Sequence, residues 1–173
     1  MTRAVEQAVR VETVLTTLAE ETRKRRSGCR EVTGEIRSVE EQLIMHEGLR
    51  LKPHLCTVGK LSIGVGRNFE DQGISEDEAM YMLWNDMEFI TARLEQFVWW
   101  RRLDPIRQKV VIDMAFNQGI EGFLKCKRMI SALERGDYQA AACEMANSAW
   151  YRQVGRRGKR LERTMRTEED YTD

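Results

Sequence analysis

HEGLRLKPHLCTVGKLSIGVG, residues 46–66, changes its periodicity part-way along. Leading into it, Val39, Leu43 and Glu47 follow one another at i,i+4, the repeat of a single helical face. Further on, Leu61, Ile63 and Val65 alternate with Ser62, Gly64 and Gly66, which is the repeat of a strand, and Val58, Gly59 and Lys60 supply a turn before it. The stretch therefore predicts a helix stopped by Gly48 and then a short hairpin, with Leu61, Ile63 and Val65 on one face. Ser38 is placed to cap the helix, and Glu41 three residues later to complete a capping box. Glu47 is the last group on an otherwise apolar stripe. A partly desolvated carboxyl there has a raised pKa, which suits a general acid at neutral pH. The glycine-bearing face of the strand lets a bulky ligand approach the backbone.

Beyond this stretch the helical period dominates. Ser75 and Glu78 form a second capping box, opening a long helix with Ala79, Met82, Leu83, Ile90, Leu94 and Phe97 in register. Asp104 and Pro105 read as the N-cap and first turn of another helix, which Gly119 ends. Residues 122–134 and 138–149 are expected to be two more helices, divided by Gly136 and Asp137, with Phe116, Phe123, Tyr138 and Trp150 as an aromatic core stripe. Towards the N-terminus, Ala4, Ala8, Val11, Leu15 and Leu18 predict an amphipathic helix over residues 2–26 with a basic end, broken at Gly28.

A chain of 173 residues is long enough for one domain with a real core plus an appendage, and too short to make two independent domains a natural reading. Two prolines and an abundance of Glu, Arg, Ala and Leu favour helix. No apolar run approaches the roughly 20 residues of a membrane span, and the N-terminus lacks the pattern of a signal peptide. The expectation is a chain made in a cytosol without membrane insertion. The formal net charge is zero, yet Arg152, Arg156, Arg157, Lys159, Arg160, Arg163 and Arg166 crowd one segment. Such a patch is either a solvated helix face or a contact for an anionic partner, nucleic acid or a cell-wall polymer. Cys29, Cys56, Cys126 and Cys143 form no C-x-x-C pair, and His46 and His54 stand outside zinc-ligand spacing, so no metal or cofactor is expected and the thiols read as free.

A glutamate closing the first helix, a glycine-rich hairpin, a long helix and a compact helical lobe together resemble the T-even phage lysozymes, glycoside hydrolase family 24. The resemblance covers residues 39–167. It rests on HEGLRLK around Glu47, SIGVG at 62–66, ISEDEA at 74–79, MAFNQG at 114–119, GF at 122–123, and SAWYRQ with RRGKR between 148 and 160. It implies an α+β, predominantly α-helical, two-lobed lysozyme-like fold: a small hairpin sheet in the N-terminal lobe, a long connecting helix and a helical C-terminal lobe. Residues 1–38 would then be a helical extension and linker, and 168–173 an acidic tail.

The family's catalytic positions are a glutamate, an aspartate or in some members a cysteine, and a threonine; the resemblance puts these roles on Glu47, Cys56 and Ser62. Gly66, Asn68, Phe116 and Arg157 fall at substrate-binding positions, Arg157 as the arginine facing the glutamate across the cleft. The family's cleft histidine is Arg67 here. The implied activity is hydrolysis of the β-1,4 bond between N-acetylmuramic acid and N-acetylglucosamine in bacterial peptidoglycan. No nucleic acid takes part, and the enzyme is expected to act as a monomer. Cys56 is open to three readings: nucleophile, water-positioning group, or packing. The enzyme would be either an endolysin, made in the host cytoplasm and acting in the periplasm, or a virion-associated lysozyme attached through residues 1–38. A wall-binding protein on a weakened lysozyme scaffold is the non-enzymatic alternative.

Overall fold

The computed structural model describes residues 38–170, in two compact units that divide between Gly73 and Ile74. The expected helix over residues 2–26 and Cys29 lie outside the described residues.

The first unit begins with α1, Val39–Glu47, where the Ser38 hydroxyl accepts a hydrogen bond from the Glu41 N–H at 3.2 Å. Gly48, with φ of 74°, stops the helix in a conformation that favours glycine. Three antiparallel strands follow in the order β1 (Arg50–Leu55), β2 (Leu61–Gly64) and β3 (Arg67–Asn68). Pro53 sits inside β1, where the alternation gives no strand signal. It is tolerated because β1 is an edge strand whose register with β2 slips between Arg50 and His54. Beyond the slip, His54 lies opposite Ser62 and Leu55 opposite Leu61. A single-turn helix, α2 (Phe69–Gln72), completes the unit.

Burial tells the two faces of β2 apart and changes one expectation, for α1. The face of β2 that is buried belongs to Ser62, at 3% exposure, while Leu61 is 37% exposed. Alternation locates two faces, but which of them is covered depends on the neighbouring elements. Similarly, no residue of α1 is buried, and Val39 and Leu43 are exposed at 68% and 50%. Glu47 is exposed with them, so its own helix does not supply the desolvation that the stripe implied.

The second unit is helical. Its elements are α3 (Glu76–Leu94), α4 (Val98–Arg102), α5 (Pro105–Gln118), α6 (Ile120–Phe123), α7 (Lys127–Glu134), α8 (Tyr138–Ala146), α9 (Ala149–Val154) and α10 (Arg156–Thr167). The Ser75–Glu78 capping box has both of its hydrogen bonds. Asp104 caps α5 through the Arg107 N–H at 2.8 Å, with Pro105 in the first turn. The long helix ends at Leu94, before Phe97, because the chain turns into the short α4, which places Trp99 and Trp100 in the core. The helix expected over 122–134 is two, α6 and α7, separated by turns through Leu124 and Lys125.

The core gathers Leu94, Val110, Val111, Met114, Phe123, Leu133, Met145 and Met165, each almost fully buried. Burying a side chain of this size contributes roughly 1.5–3 kcal/mol. Of the aromatic stripe, Phe123 and Trp150 are buried and Tyr138 is partly so; Phe116 is 43% exposed and is a surface residue of α5. Arg107, inside this unit, donates to the Met165 carbonyl and pairs with Asp104 and Glu168, with its guanidinium 3.9 Å from the Tyr138 ring centre. Glu168 and Asp170 are both held in ion pairs to α5, the latter with Lys109.

Candidate active site

Glu47 comes to the site from the last turn of α1, and Gly66 from the tight turn between β2 and β3, with φ of 71°. A Cβ at Gly66 would stand 3.2 Å from Glu47 Oε2, so the glycine leaves the room the carboxylate occupies. Alanine there would meet both that contact and an unfavourable backbone conformation.

Cys56 and Ser62 flank the β1–β2 turn. The Cys56 N–H donates to the Lys60 carbonyl at 2.9 Å, and the Gly59 N–H donates back to the Cys56 carbonyl at 2.9 Å. The Ser62 hydroxyl donates to the same Lys60 carbonyl at 3.5 Å. The Cys56 thiol is held below its ordinary pKa, first by the Val58 and Lys60 backbone N–H groups and to a lesser extent by Ser62. Hydrogen bonds of this kind favour the thiolate, which is the reactive form of cysteine.

Asn68 uses its side chain within the unit. Its Oδ1 accepts from the Glu70 and Asp71 N–H groups, capping α2, and its Nδ2 donates to Asp71 Oδ2 at 2.8 Å. Asp71 in turn pairs with Lys60 Nζ, and Glu70 accepts from the Leu61 N–H at 3.1 Å. Sequence reading passed over Lys60, Glu70 and Asp71 as site neighbours. The available signal was the cap itself, an Asn followed by two acids in a first turn. Arg67, at the family's histidine position, donates from Nε to the Gly73 carbonyl at 2.9 Å.

In the helical unit, Phe116 lines a concavity of about 410 Å³ with Asp86, Phe89 and Ile90 of α3 and with Ile120 and Glu121 of α6. Arg157 donates from Nε to Asp113 Oδ1 at 2.8 Å, bridging α10 to α5. Asp113, unnoticed in the sequence, is thus the fixed partner of Arg157. The first unit accordingly gathers Glu47, Cys56, Ser62, Gly66 and Asn68, and the second holds Phe116 and Arg157. Among the described residues no group of three or more His, Cys, Asp or Glu side chains is arranged to hold a metal ion.

The family model described as phage lysozyme matches residues 45–169. The chain belongs to the phage lysozyme family. Its class is that of a glycoside hydrolase. The pre-baseplate central spike protein Gp5 of Enterobacteria phage T4 is 26% identical over 153 residues, covering 72% of this chain and 27% of the spike protein. A probable T4-type lysozyme of Dictyostelium discoideum is 25% identical over 158 residues, covering 73% of this chain and 92% of that protein. A phage lysozyme needs a proton donor for the leaving oxygen and a group that directs water or attacks from the other side of the sugar. The first unit holds the Glu47 carboxyl, and the Cys56 thiol and Ser62 hydroxyl on either side of one turn.

Proposed function

We propose that the chain is a muramidase that hydrolyses the β-1,4 bond between N-acetylmuramic acid and N-acetylglucosamine in bacterial peptidoglycan. Glu47 gives its proton to the glycosidic oxygen as the bond to the anomeric carbon breaks. Cys56 and Ser62 hold the water that attacks that carbon, and the thiolate form of Cys56 faces the developing positive charge. The observation that carries this reading is the fit of the Glu47 carboxylate over Gly66 in the same unit as Cys56 and Ser62, which both hydrogen-bond to the Lys60 carbonyl. By resemblance to the family, Gly66 and Asn68 of the first unit and Phe116 and Arg157 of the second are assigned to substrate binding.

The test is clearing of outer-membrane-permeabilised Gram-negative cells, with the released fragments analysed for muramic acid at the reducing end. Glu47→Gln keeps the shape but has no proton to give, and loss of general acid catalysis lowers the rate by about a hundredfold or more. A variant that keeps a tenth of the wild-type rate removes Glu47 from this role. Absence of any cleavage by a folded wild type favours the wall-binding alternative.

For host lysis the enzyme acts as a monomer on the periplasmic wall after synthesis in the host cytoplasm. The similarity to a phage spike protein supports a second reading, a lysozyme carried on the virion through residues 1–38. Detection of the chain in purified particles supports the second reading, and its absence there supports the first.

A further inference from the structure

We propose that the concavity at the turn from α5 into α6 is an acetamido-sugar site, in which the Gln118 side-chain amide donates to the acetamido carbonyl of a peptidoglycan hexosamine while Phe89 and Phe116 pack on its ring. This rests on the muramidase reading and names a specificity-determining residue for its substrate.

Gly119 builds the turn. With φ of 75° it ends α5 and opens α6 in a single residue, a conformation that favours glycine. The Phe123 N–H donates to the Gly119 carbonyl at 2.9 Å, and Ile120 and Phe123 are buried in the core, so the corner is anchored. The other wall is α3, which contributes Asp86, Phe89 and Ile90 at the i, i+3, i+4 spacing of one helical face. One turn further along α3, Arg93 Nη2 reaches Glu121 Oε1 at 2.6 Å and ties α3 to α6. The volume of about 410 Å³ falls within the roughly 300–1,000 Å³ of small-molecule sites.

Gln118 is the residue that points to a ligand. It lines the concavity, and its Nε2 is buried with no hydrogen-bond partner among the described residues. Its neighbour Asn117, by contrast, accepts from the Trp150 indole N–H at 2.8 Å. A buried donor left unpaired lowers the stability of the free protein, and an acceptor brought by a ligand removes that cost. Around this donor the lining is apolar: Ile90, Ala115 and Ile120 are buried, whereas Phe89 and Phe116 keep 59% and 43% of their surface exposed. Such rings offer large apolar area to the carbon face of a sugar. An acetamido group suits the remainder, because its carbonyl oxygen accepts from the one donor and its methyl group enters the apolar wall. A hydroxyl in its place has no methyl to bury. Asp86 and Glu121 add carboxylate acceptors for the hydroxyl groups of the same sugar. The sugars of a peptidoglycan strand carry acetamido groups, and those of a plain glucan carry hydroxyls.

The experiment titrates the full wild-type chain with N-acetylchitotriose and with cellotriose, which share a β-1,4 backbone and differ in bearing acetamido groups or hydroxyls. Proton–nitrogen correlation NMR follows the assigned side-chain NH₂ signals of Gln118. N-acetylchitotriose is expected to shift them saturably, and cellotriose at the same concentration to leave them in place. Gln118→Leu keeps the size and removes the donor, and weakens N-acetylchitotriose binding about tenfold by calorimetry. Phe89→Ala, at an exposed position, weakens it about fivefold. On peptidoglycan, Gln118→Leu raises KM more than it lowers kcat, since the contact is already made in the bound ground state. Thermal unfolding of Gln118→Leu at or above the wild-type temperature checks its fold and registers the removal of an unpaired donor. Gln118 signals that ignore N-acetylchitotriose, or that respond equally to cellotriose, overturn the proposal even if the chain cleaves cell walls. A selective shift in a chain that cleaves nothing upholds the sugar site and overturns the muramidase reading alone.

Discussion

Cys56 and Cys126 have the same side chain in opposite surroundings. Cys56 is held towards the thiolate by backbone N–H groups, whereas burial pushes the Cys126 thiol up. Substitution tests the first: Cys56→Asp should match or exceed wild-type hydrolysis, because a carboxylate restores the charge that an oxocarbenium-like state prefers, and Cys56→Ala should lose most of it. Equal rates for alanine and wild type would reduce Cys56 to packing. For Cys126 the sign follows from linkage. A folded-state pKa above the unfolded value means the unfolded chain releases its proton first, so the stability present below the ordinary thiol pKa is lost as pH rises towards the folded value. Thermal melts above pH 8 should show a steeper fall in Tm for wild type than for Cys126→Ala; parallel slopes would count against it. At this scale the sequence singled out Glu47, Cys56 and Ser62 by their spacing, and all three lie in the first unit. It was silent on Lys60, Asp71 and Asp113, whose importance comes from partners 11 and 44 residues away along the chain.

Among the elements, those with explicit end signals matched their reading. Asp104 with Pro105 and Ser75 with Glu78 define helix starts through local hydrogen bonds that need no distant partner. Removing the hydroxyl in Ser75→Ala should cost about 1 kcal/mol and lower Tm by about 2–4 °C, read by circular dichroism. A change of less than half a degree would mean that packing alone holds the end of α3. Elements without such signals were read less sharply. The first strand of the expected hairpin, β1, shows no alternation and contains Pro53, which its edge position accommodates. The break between α6 and α7 has no proline or glycine at its turn; the chain closes there through the Cys126 N–H to the Phe123 carbonyl while Phe123 goes into the core.

For the whole molecule, every motif that carries the lysozyme resemblance lies beyond residue 38, and the family match begins at residue 45. A chain beginning at Ser38 should therefore fold cooperatively and cleave peptidoglycan at a rate within a few-fold of the full chain. A well-folded but inactive product would place residues 1–37 in the active site. The core of the helical unit, centred on Phe123, Leu94 and Met114, is what such folding depends on. Phe123→Ala is expected to remove about 3–5 kcal/mol, close to the stability of many domains, and urea titration would register it.

By itself the sequence determined the helical class, the helix starts at Ser75 and Asp104, the hairpin after Gly48 and the family, because caps, periods and motif spacings are local and are written in adjacent residues. Only the tertiary structure decided that Ser62 rather than Leu61 is the buried residue of its strand, that Phe116 leaves the aromatic core, that α1 keeps its apolar stripe exposed, and that Glu47 is fitted against Gly66. The physical reason is that burial and contact belong to a pair of surfaces, and a periodic pattern on one of them does not say what covers it.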